Sequence, residues 1–465
     1  MDKRKWVYAI IALIIIIITG LLLSRTVPKN KNKDKDQTVE NDNQKLRAMV
    51  LANSDNKLTV QDNNNIIYTF DEDISDLEVG TDVIIEYEGV LNKSTEKQNA
   101  EIINWKSVAS QDDNAGVPIN WQDNGIFKDY YKLASQKLKT LTLDEKISQL
   151  LLVRYPDTGA KNILNKYQFG GYIFFAKDFK DKSESEVKKM MKELQDVSKI
   201  PILTAVDEEG GKVVRVSSNP KLAKEPFKSS QDLYNLGGFE RIKDDTISKS
   251  KILYNLGLNL NLAPVVDVST NPDDYIYARS FGHNTELTST YAKTVIDASK
   301  NTGVSYTLKH FPGYASNLDT HNTNSTDDRN YDDIVKNDLP PFKAGIDAGA
   351  EAVLVSHNTV TSIDSNNPAS LSPSVHNLLR NDLDFTGIII TDSLDMAAIT
   401  SIPDSVVKAL LAGNDLLIVT DYENSFNAIK KAVNDNVLSE NFIDKQAFRI
   451  LTWKYYKGMM IDNQK

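Results

Sequence analysis

The chain has 465 residues, a net charge of −10 and no cysteine. That charge balance offers no basic face for nucleic acid, and the missing cysteines exclude disulfides, thiol catalysis and thiolate-held metals. Hydrophobic residues at 40% and charged residues at 25% belong to a folded protein, and the length suggests two or three units with a sizeable core.

The chain opens with an uncharged apolar run, Trp6 to Leu23, flanked by Lys3, Arg4, Lys5 and Arg25. Such a run is just long enough to span a bilayer. A cleaved signal peptide is the rival reading. Against it, the Leu-Leu-Leu-Ser-Arg that follows Gly20 offers no small-x-small cleavage site, and no cysteine follows to carry a lipid. Residues 1–25 are therefore expected to form an uncleaved, single-pass signal-anchor crossing the cell membrane through residues 6–23. Charge does not fix its orientation, because Lys29, Lys31, Lys33 and Lys35 follow the span. Residues 26–43 are rich in Lys, Asp and Asn and read as a solvated tether.

From residue 44 to 108 the pattern changes to short β-like runs at Leu46–Leu51, Lys57–Gln61, Ile66–Phe70, Asp82–Glu88 and Glu101–Val108. Turn residues such as Asp62-Asn63-Asn64-Asn65 separate them, which predicts a small all-β domain. No catalytic constellation falls inside it, so a spacer or a weak wall contact is its expected role. Residues 109–124 form a second polar linker.

Residues 125–465 alternate strand and helix. Thr142-Leu-Asp-Glu145 is a capping box that opens a helix. Strand candidates then recur at Leu150–Val153, Gly171–Phe175, Ile202–Val206, Leu258–Val266, Val304–Leu308, Ala352–Val355, Ile388–Thr391 and Leu416–Thr420. Helical patterns lie between them, including Ser183–Ser198, Asp244–Asn255, Thr285–Asn301 and Asp332–Ala348. Buried parallel strands in this alternation predict an α/β fold of the (β/α)₈ TIM-type barrel class. A doubly wound sheet is the alternative, but its Gly-rich nucleotide turn is missing and Gly210-Gly211 is a weak substitute.

A barrel places its catalytic groups at the C-terminal ends of its strands. Asp207, Asp267, Lys309 with His310, Ser356 with His357, and Asp392 all stand directly after strand candidates. Blander roles compete for several of them. Asp207 would cap a helix opened by Asp-Glu-Glu-Gly-Gly, and Asp392 one around Leu394–Ile399. Asp267 suits a structural role, and His357 suits a hydrogen-bonded core position, while His283 and His376 need no function. Lys309 requires an acceptor, which a polar ligand or Asp207 would supply. After His310 a loop with Pro312 and Gly313 leads to Asp319-Thr320-His321. In an extended stretch positions i and i+2 face the same way, so Asp319 can fix the tautomer of His321 and favour its imidazolium.

Several segments together resemble glycoside hydrolase family 3, within it the bacterial NagZ-type β-N-acetylglucosaminidases. They are Val-Asp-Glu-Glu-Gly-Gly-Lys-Val-Val-Arg (206–215), Asn-Leu-Ala-Pro-Val-Val-Asp-Val (261–268), Ala-Arg-Ser-Phe-Gly (278–282), Lys-His-Phe-Pro-Gly with Asp-Thr-His, Val-Ser-His (355–357) and Thr-Asp-Ser-Leu-Asp-Met (391–396). The likeness runs from about Ile126 to Ile461. It implies a retaining two-step hydrolysis with Asp392 as nucleophile, His321 as acid/base and Asp319 as its dyad partner. It also implies that Asp207, Arg215, Arg279, Lys309 and His310 bind the hydroxyls of a terminal N-acetylglucosamine. A histidine acid/base titrates near ~6.5 and avoids a second anion beside the nucleophile. The chain departs from the family at Tyr314-Ala315-Ser316-Asn317, where relatives read His-Gly-Asp-Thr and carry one residue more. Lys212 stands where Arg is frequent.

The resemblance implies an exo-acting enzyme on N-acetylglucosamine-terminated glycans, without cofactor or metal; the apolar run suggests a body held outside the cytoplasmic membrane, and a monomer is favoured with the oligomeric state left open. Peptidoglycan fragments are the substrates implied by that location. Phosphorolysis of the same bond is the nearest alternative. A metal-dependent barrel hydrolase is disfavoured because no His-x-His pair occurs and Lys309 would repel a cation. A non-catalytic sugar binder is disfavoured because Asp392 and His321 are both retained.

Overall fold

The computed structural model describes residues 44–460 except 55–56, 63–65, 73, 75–76, 78–80, 92–98, 108–116 and 315–324. The expected signal-anchor and tether, and the Asp319/His321 pair, lie outside the described residues. Among the described residues no helix is long and apolar enough to cross a membrane.

The first strands are β1 (Gln44–Ser54), β2 (Lys57–Asp62), β3 (Ile67–Phe70), β4 (Asp82–Val90) and β5 (Asn99–Ser107). They form a five-stranded sheet in the order β3-β2-β1-β4-β5, with antiparallel β1–β2, β2–β3 and β4–β5 ladders. Alternating inward residues, among them Leu58, Val60, Val83 and Ile85, give the sheet a hydrophobic core of its own. Val117 and Trp121, inside the segment expected to be a linker, are instead buried with the core of the α/β region, and Trp121 packs on Phe448.

The α/β region is built on β6 (Leu151–Arg154), β7 (Gly171–Phe174), β8 (Leu203–Val206), β9 (Leu260–Asn261) and β10 (Ser305–Phe311). A short strand β11 (Thr326–Asp327) follows, then β12 (Ala352–Val355), β13 (Thr359–Val360), β14 (Ile388–Thr391) and β15 (Leu417–Val419). Eight of these run in the order β14-β12-β10-β9-β8-β7-β6-β15, and a parallel bridge from Ile390 to Leu416 joins the two ends. The result is a closed parallel barrel. Strands such as Ile388–Thr391 are buried along their whole length, as strands covered by helices outside and by side-chain layers inside must be.

Helix boundaries follow local chemistry. Thr142 and Ser183 each complete a capping box at the starts of Leu143–Gln149 and Glu184–Asp196. The pattern at Asp244–Asn255 is the second half of a longer helix, Ser230–Asn255, broken at Gly237 and Gly238. Asp332–Ala348 is two helices, Tyr331–Asn337 and Leu339–Asp347. Pro340 and Pro341 lack the N–H that a continuous helix needs there, so the chain restarts with proline in the first turn.

Two strands depart from expectation where the site is built. The run 258–266 contributes only Leu260–Asn261 as strand; Pro264 has no N–H to give, and an isolated parallel bridge pairs Val265 with Lys309 beyond it. β10 extends three residues beyond Leu308, so Lys309 and His310 lie within the strand and are buried.

Candidate active site

Asp207 directly follows β8. Its Oδ1 accepts a hydrogen bond from Lys309 Nζ at 2.8 Å, and Arg215 lies 3.9 Å from Oδ2. No helix starts here, so the capping role for Asp207 is not adopted. The chain reverses through Gly210 and Gly211, at φ of +100° and +63°, and a bridge between Gly210 and Val213 closes the turn.

That reversal separates the two glutamates after Asp207. Glu208 is fully buried and accepts from the backbone N–H groups of Arg215 at 2.8 Å and Val216 at 2.6 Å, which pins the returning arm. Glu209 turns to the cations. It accepts from Lys309 at 2.7 Å and from Arg279 at 3.0 and 2.7 Å. Burial alone would raise the Glu209 carboxyl, but Lys309 and Arg279 outweigh it and hold the group well below the usual carboxylate range. Burial likewise opposes the Lys309 charge, and Asp207 with Glu209 overrides it, leaving the ammonium above its ordinary value.

His310 sits between an acid and a base. Its Nδ1 lies 2.7 Å from Asp267 Oδ2, and its Nε2 lies 3.2 Å from an Arg279 Nη. The carboxylate only accepts and the guanidinium only donates, so the ring proton is on Nδ1 and Nε2 is an acceptor. Asp267, for which a structural role was expected, therefore orients a site histidine.

Asp392 follows β14. Its backbone N–H donates to the Val355 carbonyl at 2.9 Å, and its Oδ1 accepts from the Ser393 N–H at 2.8 Å. The next helix, Ala397–Thr400, has Met396 at its N-cap, so Asp392 is not a cap. His357 is buried behind it as a hydrogen-bonded core residue. Its Nε2 donates to the Ser393 carbonyl at 2.8 Å, and its Nδ1 accepts from the Ser370 hydroxyl at 2.7 Å. His357 thus holds the peptide that carries the turn after Asp392. His283 packs against the Tyr234 and Phe281 rings, and His376 Nδ1 donates to the Ser372 carbonyl.

The described part of the site links Asp207, Arg215, Lys309, His310 and Arg279 by contact, with Glu209 and Asp267 as the acids that arrange them. Glu209 is the residue that sequence reasoning missed. The available signal was Lys309 itself, a buried cation next to three consecutive acids. Arg215 stands apart from its neighbours: its Nε is buried without a protein partner among the described residues. Its guanidinium lies over the Phe175 ring, 5.3 Å from the centroid. Such an arrangement presents charged donors and acceptors to a polyhydroxylated ligand. Among the described residues no group of three or more His, Asp or Glu side chains could hold a metal ion.

Comparisons with known proteins agree with this fold. Residues 142–453 match the model of the glycosyl hydrolase family 3 N terminal domain. The beta-hexosaminidase LpqI of Mycobacterium tuberculosis is 29% identical over 329 residues, which cover 67% of this chain and 82% of that protein. The solved structure of LpqI superposes with a TM-score of 0.61 at 28% identity, over 68% of this chain and 94% of LpqI. A family 3 β-N-acetylglucosaminidase from Paenibacillus sp. str. FPU-7 gives a TM-score of 0.65 at 28% identity over 70% of this chain. This chain spans 64% of that enzyme's length. On its motifs, its barrel and a match over most of its length, the chain belongs to glycosyl hydrolase family 3.

Proposed function

We propose that the protein is a retaining exo-β-N-acetylglucosaminidase acting on N-acetylglucosamine-terminated glycans. The observation that carries this reading is the placement of Asp392 at the end of β14, with Asp207, Lys309 and His310 at the ends of β8 and β10. In the first step an Asp392 oxygen attacks the anomeric carbon while the glycosidic bond breaks. His321 gives its proton to the departing oxygen. In the second step His321 takes a proton from water, whose oxygen attacks the same carbon and releases Asp392. Asp319 stabilises the imidazolium between the steps. Asp207, Arg215, Arg279, Lys309 and His310 hold the hydroxyls of the terminal sugar, and charged hydrogen bonds of this kind fix its orientation.

The hexosaminidase names of the relatives support the choice of N-acetylglucosamine. The apolar run at residues 6–23 and the tether at 26–43 support a body displayed outside the cell membrane, where peptidoglycan fragments supply such termini. In the same reading residues 44–108 are a spacer between tether and barrel. Hydrolysis of 4-nitrophenyl N-acetyl-β-glucosaminide tests the activity. The wild type should release nitrophenol and free sugar, unaffected by chelator. A rate that requires phosphate and yields sugar 1-phosphate would replace hydrolysis with phosphorolysis. No release at all would overturn the assignment.

A further inference from the structure

The end of β6 brings to the barrel mouth a cation that none of the roles above uses. Arg154 is the last residue of that strand, which pairs with β7 on one side and β15 on the other. In a parallel barrel it therefore stands at the same end as Asp207 and Asp392. The Tyr155 N–H donates to the Ile173 carbonyl at 2.9 Å, and the Tyr155 ring packs on Phe174 at 4.7 Å between centroids, which fixes the backbone beside Arg154. The Arg154 guanidinium lies over the Phe175 ring, 4.2 Å from the centroid, and Arg215 lies over the same ring at 5.3 Å. Arg154 is half-buried, yet its guanidinium makes no hydrogen bond or ion pair with a protein group among the described residues. The acids that feel its charge, Asp178 and Asp157, are committed elsewhere. Asp178 is buried and accepts from the Phe175 N–H at 2.7 Å, and Asp157 pairs with Lys177 at the rim. Arg215 is no better supplied, since Asp207, 3.9 Å away, already accepts from Lys309 at 2.8 Å.

We propose that Arg154, together with Arg215, forms a subsite for a carboxylate carried by the substrate, so that the enzyme prefers acidic glycans to neutral ones. The inference deepens the hexosaminidase reading and rests on it. Two like charges share one aromatic ring, and a ring face attracts a cation without neutralising it. A carboxylate supplies the missing counter-charge, and a guanidinium holds it with two parallel N–H donors, a geometry that a lysine cannot reproduce. Arg215 neighbours Asp207, and through it Lys309, so the subsite adjoins the residues assigned to the terminal sugar. The carboxylate belongs either to that sugar or to the group from which it is released. An Arg154 that only covers the Phe175 ring would treat acidic and neutral substrates alike.

The test compares matched acidic and neutral substrates on the full chain. One pair puts the charge on the released group: N-acetylglucosaminyl-β-1,4-N-acetylmuramic acid and its methyl ester. The other puts it on the terminal sugar: the 4-nitrophenyl β-glycosides of 2-acetamido-2-deoxyglucuronic acid and of N-acetylglucosamine. In one pair the wild type should favour the acid by about tenfold in KM, the value of a charged hydrogen bond, and the preference should shrink as salt is raised. The pair that responds identifies where the carboxylate sits. Arg154→Met should lose about tenfold on the favoured acid beyond its loss on the neutral partner, through KM and not kcat. Arg154→Lys keeps the charge without the fork and should fall between, and it carries the test with the salt series should Arg154→Met not fold. Equal KM for acid and neutral substrate in both wild-type pairs, or equal losses on both in the variants, would overturn the proposal and leave hydrolysis standing. No turnover of any of these substrates would overturn the hexosaminidase reading and the proposal with it.

Discussion

The barrel carries a buried ion network at each end, and the two are finished differently. At the end where the strands begin, Asp415 accepts from Arg380 at 2.7 Å and from Arg449 at 2.8 Å. Both arginines also donate to backbone carbonyls: Arg380 to Phe385 and Gly387, Arg449 to Thr386 and Gly387. Arg449 also reaches Asp123, and Asp415 takes the Ile389 N–H as well. The protein itself completes that network. At the end where the strands finish, Lys309 and Arg279 share Glu209, while Arg215 stays 3.9 Å from Asp207 with its Nε unsatisfied. Buried polar groups are normally paired, so under the proposed function a sugar hydroxyl would supply the partner that Arg215 Nε lacks.

Substitutions should separate the two ends. Between the two ends, the larger effect on activity is expected from Glu209→Gln, which gives Arg279 a neutral acceptor and leaves Lys309 with Asp207 as its carboxylate partner. Removing one partner of a buried pair costs roughly 3–5 kcal/mol. Here the loss should fall on catalysis as well as on stability, with kcat/KM down by on the order of 10²-fold or more. The pH dependence has a definite sign. The folded Glu209 carboxyl is held below its ordinary value, so its stabilisation is complete above the unfolded carboxylate pKa. It is lost as the pH falls below that value, and Glu209→Gln should flatten this part of the acid-denaturation curve. A variant that melts as the wild type does across the acid range would contradict the pairing.

Asp415→Asn comes next. It should lower stability by a similar few kcal/mol, read in a denaturant titration, because two arginines lose a buried counter-charge. KM for the aryl glycoside should not change in the folded fraction. A raised KM would mean that the two ends are coupled. Arg215→Met should have the smallest effect on stability, since its long contact with Asp207 on a partly exposed side chain contributes little. Its signature should be a KM raised about tenfold, the value of a lost charged hydrogen bond to a sugar hydroxyl. An unchanged KM would remove Arg215 from the binding set.

What the sequence revealed depended on how local the determining physics is. That Asp207 and Asp392 directly follow strands, and that Lys309 and His310 lie at the end of one, was legible because apolar runs mark the strands. Glu209 was not, since which of three consecutive acids turns inward is decided by the reversal at Gly210 and Gly211 and by Lys309, over ninety residues on. Asp338 fell inside the single helical pattern expected over Asp332–Ala348, which the structure divides into two helices. Only the double proline after Leu339 hinted that Asp338 lies at the end of an element. The short β9 is the same lesson from the other side. Its apolar run is long, yet regular strand is confined to Leu260–Asn261, and pairing beyond Pro264 is reduced to an isolated bridge between Val265 and Lys309.

In the proposed function Asp392 forms a covalent bond to the sugar. A slow-turnover 5-fluoro N-acetylglucosaminyl donor, followed by proteolysis and mass spectrometry, tests it directly. The account predicts a peptide containing Asp392 heavier by one fluorosugar, absent in Asp392→Ala, and a first-formed product that keeps the β configuration. Release of the α anomer with no adduct on any peptide would contradict it.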